Sequence, residues 1–558
     1  MCRPQCKNLW FLRLRHTECA CYFPSDSINS QPRFQLGRSL ALPLILNQLG
    51  IANMDSSMLS NPFLRGMKSL FLPIGTVQRV TLLATVLCSF VYPTQSTTGQ
   101  EVRYRLGKQV IAFESAFESS YQDTTRRKKA VAPLQSAVQS FFQLDLLEAE
   151  KQIDAAHVSI LSDELGLAAN SVISLRLSPN KRWLDSAQSQ IEWSLKQAYE
   201  SKIETKLPLR MLTKYQRQKA PTEKPSVERE ETVDVLPWST QHADALEGDF
   251  LVNTTLLVEE RNLQLPWQMI SFSNHRDERL AKATDRLKAL PKSVNPTLSQ
   301  SIKLNLGVLR DLSRDRILET DYPADTMLQR SEYWLDQAEK NEPAIAISQA
   351  GQYWLDYSLI GRSGVARIQV PYDVDPKKPY KVLIAYHGAG GSENMFFDAY
   401  GAGRIAQLAK ESGYLLIAPR QPVLSGLLSF QALLDLVEKS LPIDRTQLDL
   451  IGHSMGAAQA IGQVEQCPGI ARSCTILGGG RPVSKPPAWA DLAVFAAAGD
   501  VDFGRRGAVA FAESAKKANA EVEQRIYENV EHLAIVQVSL TDIFDWLKKL
   551  PQKILPTQ

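Results

Sequence analysis

The chain has little that would mark it for nucleic acid, for a metal or for a membrane core. Lysine and arginine together number 63 against 60 aspartates and glutamates, a formal net charge of +3, and so even a balance gives no reason to expect a nucleic-acid partner. The one basic run, Arg126-Arg127-Lys128-Lys129, reads as a solvated helix end. Of 7 cysteines, Cys2, Cys6, Cys19, Cys21 and Cys88 crowd the beginning. They lack the following Cys or His pairs of a zinc site, so no metal is expected. Only Cys467 and Cys474 lie beyond them, flanking the Pro468-Gly469 loop; a bridge between them requires Cα atoms within reach, which sequence leaves open. The apolar run Val80 to Tyr92 is too short for a comfortable transmembrane helix, so no stable span of the mature protein is expected.

What is there suffices for real cores: 44% of residues are apolar and 22% charged, an ordinary globular balance. A length of 558 residues implies two or three units. Residues 1–66 mix prolines, cysteines and arginines without periodicity. In 67–100, with Arg65 just before, positive residues (Lys68, Arg79) precede the apolar Val80 to Tyr92 and the polar Pro93 to Gln100, which is the layout of a secretory signal peptide. Because such segments are N-terminal, translation is expected to begin at Met67, or at Met54 or Met58, with 1–66 outside the mature protein. Initiation there implies export to the periplasm or beyond, where Cys467 and Cys474 could pair; initiation upstream implies a cytoplasmic protein.

Residues 101–345 read as mainly α-helical and of unknown role. Apolar residues recur at three- and four-residue intervals over Ala132 to Ala155, Trp183 to Ile203, Arg276 to Leu290, Leu298 to Leu318 and Met327 to Lys340. The polar stretch Gln216 to Asp234 reads as a loop or linker. Trp-Leu-Asp recurs at 183–185, 334–336 and 354–356, too irregularly for a repeat. His242 and His275 read as surface residues.

From 346 to 558 strands alternate with helices, which predicts an α/β domain with a doubly wound, mostly parallel sheet. Its centre is Leu448-Asp-Leu-Ile-Gly-His-Ser-Met-Gly-Ala457, a buried strand entering a helix through G-x-S-x-G. This is a nucleophile elbow. Ser454 sits on a strained turn, and a Cβ at Gly452 or Gly456 would crowd it. The base follows by elimination among the three histidines of this half. His387 lies in a glycine-rich loop, and strand alternation aims His453 away from the Ser454 side chain. His532 remains, after the strand Glu523 to Tyr527 and before the final helix. An acid is expected after the strand Asp491 to Ala498, at Asp500 or Asp502.

With its Asp-Pro-Lys-Lys-Pro-Tyr lead-in at 375–380, His387-Gly-Ala-Gly-Gly391 and Gly452-His-Ser-Met-Gly456, the span from about 350 to 555 resembles the α/β-hydrolases. Within them it is most similar to exported bacterial esterases and peptidase-like proteins of the polyhydroxyalkanoate-depolymerase type. The resemblance implies a nucleophile at Ser454, a base at His532 and an acid three residues after Gly499, at Asp502, with Asp500 as the fallback. His387 to Gly391 is similar to an HGGG-type oxyanion loop, which implies backbone donors at Met455 and Ala389 and open space at Gly388, Gly390 and Gly391. The implied activity is hydrolysis of a small-molecule or polymer ester through an acyl-enzyme, without metal or organic cofactor. A serine peptidase on the same residues is the nearest alternative, and a non-catalytic hydrolase-fold scaffold the more distant one. No propeller precedes the domain, and Cys467 to Leu492 leaves no room for a large lid after the elbow. An open-site esterase is therefore expected rather than a capped lipase, although 101–345 could serve as a lid or a docking module.

Overall fold

The computed structural model describes residues 97–553, apart from 121–122, 189, 202, 219–222, 244–245 and 423–425. The segment 1–66 and the apolar Val80 to Tyr92 lie outside the described residues. Gln100, at the end of the signal-like stretch, already belongs to the first helix, α1 (Thr97–Ser120).

The C-terminal half is built on one eight-stranded sheet. Its strands are β9 (Gly351–Asp356), β10 (Val365–Val370), β11 (Tyr380–Tyr386), β12 (Tyr414–Pro419), β13 (Ile443–His453), β14 (Ser473–Leu477), β15 (Ala493–Gly499) and β16 (Glu521–Tyr527). They lie side by side in the order β16-β15-β14-β13-β11-β12-β10-β9. From β12 to β16 neighbours run parallel, while β10 is antiparallel to both β12 and β9. The inner strands β10, β12, β14 and β15 are buried at every residue, as expected of a sheet covered on both faces. Alternate side chains of one strand join different cores: Val382 and Ile384 one, Leu383 and Ala385 the other. The outer strand β16 carries Glu521, Glu523 and Arg525, charges that blunt an edge.

The first core packs beneath α5 (Arg276–Ala289), α6 (Pro296–Ser313), α7 (Ala324–Glu339), α9 (Phe430–Val437), α10 (Met455–Gln466) and α11 (Arg505–Lys517). The second lies under α1, α2 (Thr124–Phe142), α3 (Leu146–Ile160), α8 (Arg404–Glu411) and α12 (Ile535–Lys549). Helices from the first half thus complete both faces of the sheet in the second. Asp123 caps α2, accepting from the backbone N–H groups of Thr125 and Arg126, and the turn at 143–145 divides the expected helix 132–155 into α2 and α3.

The expectation of a mainly helical 101–345 requires correction. After the short α4 (Asp163–Asn170), residues 175–273 are β-structure. Strands β1 (Leu175–Pro179), β3 (Gln190–Gln197) and β6 (Trp238–Ala243) form one antiparallel sheet. A second has the order β2-β8-β7-β4-β5, from β2 (Trp183–Asp185), β4 (Leu209–Arg217), β5 (Val227–Val233), β7 (Gly248–Val258) and β8 (Arg261–Ser273). The helix expected over 183–203 is β2 and β3 instead: Ile191, Trp193 and Leu195 point inward while Gln190 and Glu192 are exposed, a period of two. Within the polar stretch read as a linker, β5 is an edge strand. Its Glu228 and Glu230 pair across the strands with Lys214 and Arg210, so the charges reflect a solvated sheet edge. His242 is buried on β6 and hydrogen-bonds Glu231 at 3.1 Å, which corrects its reading as a surface residue.

Asp321 joins α1 to this β-module. Its carboxylate accepts from Tyr104 Oη (2.8 Å) and from the Met269 N–H (3.2 Å), and it pairs with Lys108 (2.5 Å).

Candidate active site

The elbow is present at the end of β13. Ser454 has φ 57° and ψ −118° and immediately precedes α10. It is one of few non-glycine residues so strained, and such strain is characteristic of functional sites. The turn survives because its flanks are bare. A Cβ on Gly452 would lie 2.2 Å from the Gly456 carbonyl oxygen, and one on Gly456 would lie 1.9 Å from that of Tyr386.

Of the two candidate acids, Asp502 is the one beside His532. His532 Nδ1 and Asp502 Oδ1 are 2.7 Å apart, both side chains buried. Asp502 also accepts from the Gly504 N–H (2.7 Å). Asp500 turns instead to the backbone, accepting from the Val530 N–H at 3.4 Å. Burial alone would lower the basicity of His532, but the Asp502 charge and hydrogen bond, with Glu531 adding, raise its pKa above the ordinary 6.5. The reciprocal effect outweighs burial at Asp502 and holds it below its ordinary value. An imidazole of that kind is suited to accept a proton and be stabilised once charged. Ser454 and His532 line the same cavity. Among the described residues no hydrogen bond joins them, a looseness usual in unliganded sites.

The other two histidines of this half are held neutral. Burial depresses His387 to about 4; its Nδ1 lies 2.8 Å from the Gly388 oxygen and its Nε2 accepts from the Gln421 N–H. His453 is depressed to about 3, by burial and then by the neighbouring His532 charge. It is also a structural bridge. Its Nδ1 lies 2.7 Å from Tyr400 Oη and its Nε2 2.9 Å from the His532 carbonyl oxygen, while Tyr400 Oη accepts from the Gly388 N–H at 3.2 Å. A neutral ring protonated on Nε2 satisfies all three: Gly388 donates to Tyr400, Tyr400 to His453, and His453 to His532. The glycine-rich loop at Gly388 and the backbone of His532 are thereby tied through one side chain.

This network also sorts the candidate oxyanion donors. The Gly388 N–H is consumed by Tyr400, whereas among the described residues the N–H groups of Ala389 and Met455 have no internal acceptor. Met455 opens α10, where the helix N-terminus favours negative charge. Gly388, Ala389, Gly390 and Gly391 all line the cavity with Ser454.

Several neighbours carried no sequence signal. Tyr400 is one. Phe503 is another, its ring lying on His532 with centroids 3.9 Å apart. The cap is the largest. Helices α1–α3 roof the site: Arg103 donates to the Gly390 carbonyl oxygen at 2.9 Å, and Phe142 meets Phe503 edge-on. An open site is the expectation for the domain itself, with 101–345 left as a possible lid; helices of that region lie over the cavity.

Cys467 and Cys474 form no disulfide. Cys474 is buried within β14 in the first core, where burial holds its thiol well above the ordinary range. Among the described residues no cluster of His, Cys, Asp or Glu could hold a metal, and no helix is long and apolar enough to cross a membrane.

No protein-family model matches the chain, and no curated protein does. Solved structures with partial likeness include a feruloyl esterase module from Clostridium thermocellum, 15% identical, spanning 38% of this chain and 91% of that one with a TM-score of 0.32. An S-formylglutathione hydrolase from Agrobacterium tumefaciens is 15% identical over 37% of this chain and 98% of its own, at 0.30. A hyperthermophilic esterase from Pyrobaculum calidifontis is 14% identical over 36% and 86%, at 0.29. At such scores the likeness decides nothing about chemistry, which has to be read from the residues.

Proposed function

We propose that the protein is a serine hydrolase with a doubly wound α/β-hydrolase domain that cleaves a carboxylic ester. Ser454 attacks the carbonyl, His532 takes the hydroxyl proton and returns it to the leaving oxygen, and Asp502 orients and stabilises the imidazolium. The N–H groups of Ala389 and Met455 hold the oxyanion, and water then releases the acyl group. The observation that carries this reading is the 2.7 Å contact between Asp502 and His532, where His532 lines the same cavity as a serine held at φ 57°. The strand order, with the elbow after the fifth strand of the sheet in chain order, supports it.

The test is covalent labelling by a fluorophosphonate alongside hydrolysis of p-nitrophenyl butyrate. The wild-type protein should label at one site and release p-nitrophenol. Ser454→Ala should lose the label and reduce kcat by about 10⁴-fold or more. Absence of labelling in folded wild-type protein would support the scaffold reading instead. Export remains an inference from the pattern at 67–100. It implies a mature N-terminus beyond residue 92, and peptides from residues 1–60 in the native protein would overturn it.

A further inference from the structure

We propose that the cavity roofed by α1–α3 is the acyl site, shaped for an uncharged apolar chain, so that the preferred substrates are esters of apolar carboxylic acids; this rests on the serine-hydrolase reading above. The cavity, of about 190 Å³, extends from Ser454 and His532 beneath the cap. Its walls are Leu106, Val110 and Ile111 from α1, Val138 and Phe141 from α2, and Ile153 from α3. Phe141 lies directly on the oxyanion loop: a Cβ on Gly390 would come within 2.6 Å of its ring.

The charged groups around this space are already engaged. Lys108 pairs with Asp321 at 2.5 Å and lies over the Trp267 ring, 3.6 Å from its centroid. Arg103 donates to the Gly390 carbonyl. Glu319 accepts from Ser392 Oγ (2.6 Å) and Asn394 Nδ2 (2.7 Å). Asp398 accepts from Arg367 (2.9 Å) and Thr320 Oγ1 (2.7 Å). A charged acyl substituent would therefore be buried without a counter-charge, which is costly, whereas each methylene entering the space gains hydrophobic transfer energy. The chain is given to the acyl half because the apolar wall is built on the oxyanion loop, at Gly390. His532, beside which the leaving oxygen must lie, is covered by Phe503.

The experiment measures kcat/KM for p-nitrophenyl acetate, butyrate, hexanoate and octanoate, and for the p-nitrophenyl monoester of glutaric acid, with fluorophosphonate labelling of Ser454 in the same samples. In the wild-type protein kcat/KM should rise about fourfold per methylene until the cavity is full, and the glutarate ester should fall at least tenfold below the neutral ester of similar length. Val138→Trp, at a half-buried position, should lower the octanoate-to-acetate ratio tenfold or more. Phe141→Ala, which removes volume, should move the optimum to longer chains, and it keeps the test open if the tryptophan variant fails to fold. Labelled protein with a flat chain-length profile would overturn the acyl site while leaving the hydrolase reading intact. Folded protein that does not label would overturn both.

Discussion

His532 is pulled two ways, and the balance has a kinetic consequence. Burial disfavours its cation, but Asp502 at 2.7 Å outweighs this and raises its pKa above 6.5. On the proposed mechanism catalysis needs the neutral ring as base, so kcat/KM should be lost as pH falls through that raised value. It should recover along a single acidic limb whose midpoint lies above 6.5. Asp502→Asn removes the group that raises the pKa. The limb should then move to lower pH while kcat drops about 10⁴-fold; a pH–rate profile of both proteins checks the direction of shift and the size of the loss. Asp500→Asn, whose carboxylate faces the Val530 N–H, should leave the limb where it was. His453 does not enter that titration. Depressed to about 3, it stays uncharged over the working range and keeps its links to Tyr400 and to the His532 backbone.

At the scale of elements, α1 does more than cover the site. It brings Arg103 to the glycine-rich loop at Gly390, Lys108 and Tyr104 to Asp321, and Glu114 into the second core. Glu114 is fully buried, neither carboxyl oxygen has a hydrogen-bond partner among the described residues, and it is close enough to Glu531 to interact with it. Burial, with the Glu531 charge adding, raises its pKa well above 4.5, and burial raises Glu531 to about 7. In the folded protein Glu114 retains a proton that the unfolded chain releases above about pH 4.5. Its contribution to stability is therefore complete in acid and is lost as pH rises toward the folded value, at up to about 1.4 kcal/mol per pH unit. Glu114→Gln, a neutral isostere, should match the wild type near pH 4.5 and exceed it progressively toward pH 8. Urea denaturation at the two pH values measures the difference, and an equal gap at both would contradict it.

For the molecule as a whole, the two halves are one packing unit. Leu106, Val110, Phe113 and Phe117 of α1 share a core with Phe396, Tyr400 and Val536, and on the other face Leu298, Ile302 and Leu309 of α6 pack with Leu355, Ala366 and Ile368. Removing the first half would expose apolar surface on both faces of the sheet at once. The isolated polypeptide 346–558 should accordingly be insoluble or bind a hydrophobic dye such as ANS strongly, whereas 97–558 should unfold in one cooperative transition. A soluble, monomeric and active 346–558 would contradict this.

Sequence alone determined what depends on contacts a few residues long. The elbow is legible because Gly452 and Gly456 meet backbone atoms of their own turn and of the adjacent Tyr386, so that any other residue is excluded locally. The order of strands and helices after 346 is likewise written in continuous apolar runs, which a doubly covered sheet requires. Asp502 and Asp500 lie two residues apart after one strand, and local pattern does not separate them; the resemblance preferred Asp502, and the folded loop turns that carboxylate to His532 and Asp500 to the backbone. Within the β-module, 183–203 reads as helix and 216–234 as linker in sequence because the alternation runs through polar residues; in β5 only the pairing with β4 explains the charges. The contacts of the cap, Tyr400 and Phe503 carry no sequence signal for a different reason. They meet the site across hundreds of residues, as Arg103 meets Gly390, and long-range packing of ordinary apolar and aromatic side chains leaves no local pattern. What sequence supplied is the set of candidate residues; the walls around them belong to the tertiary structure.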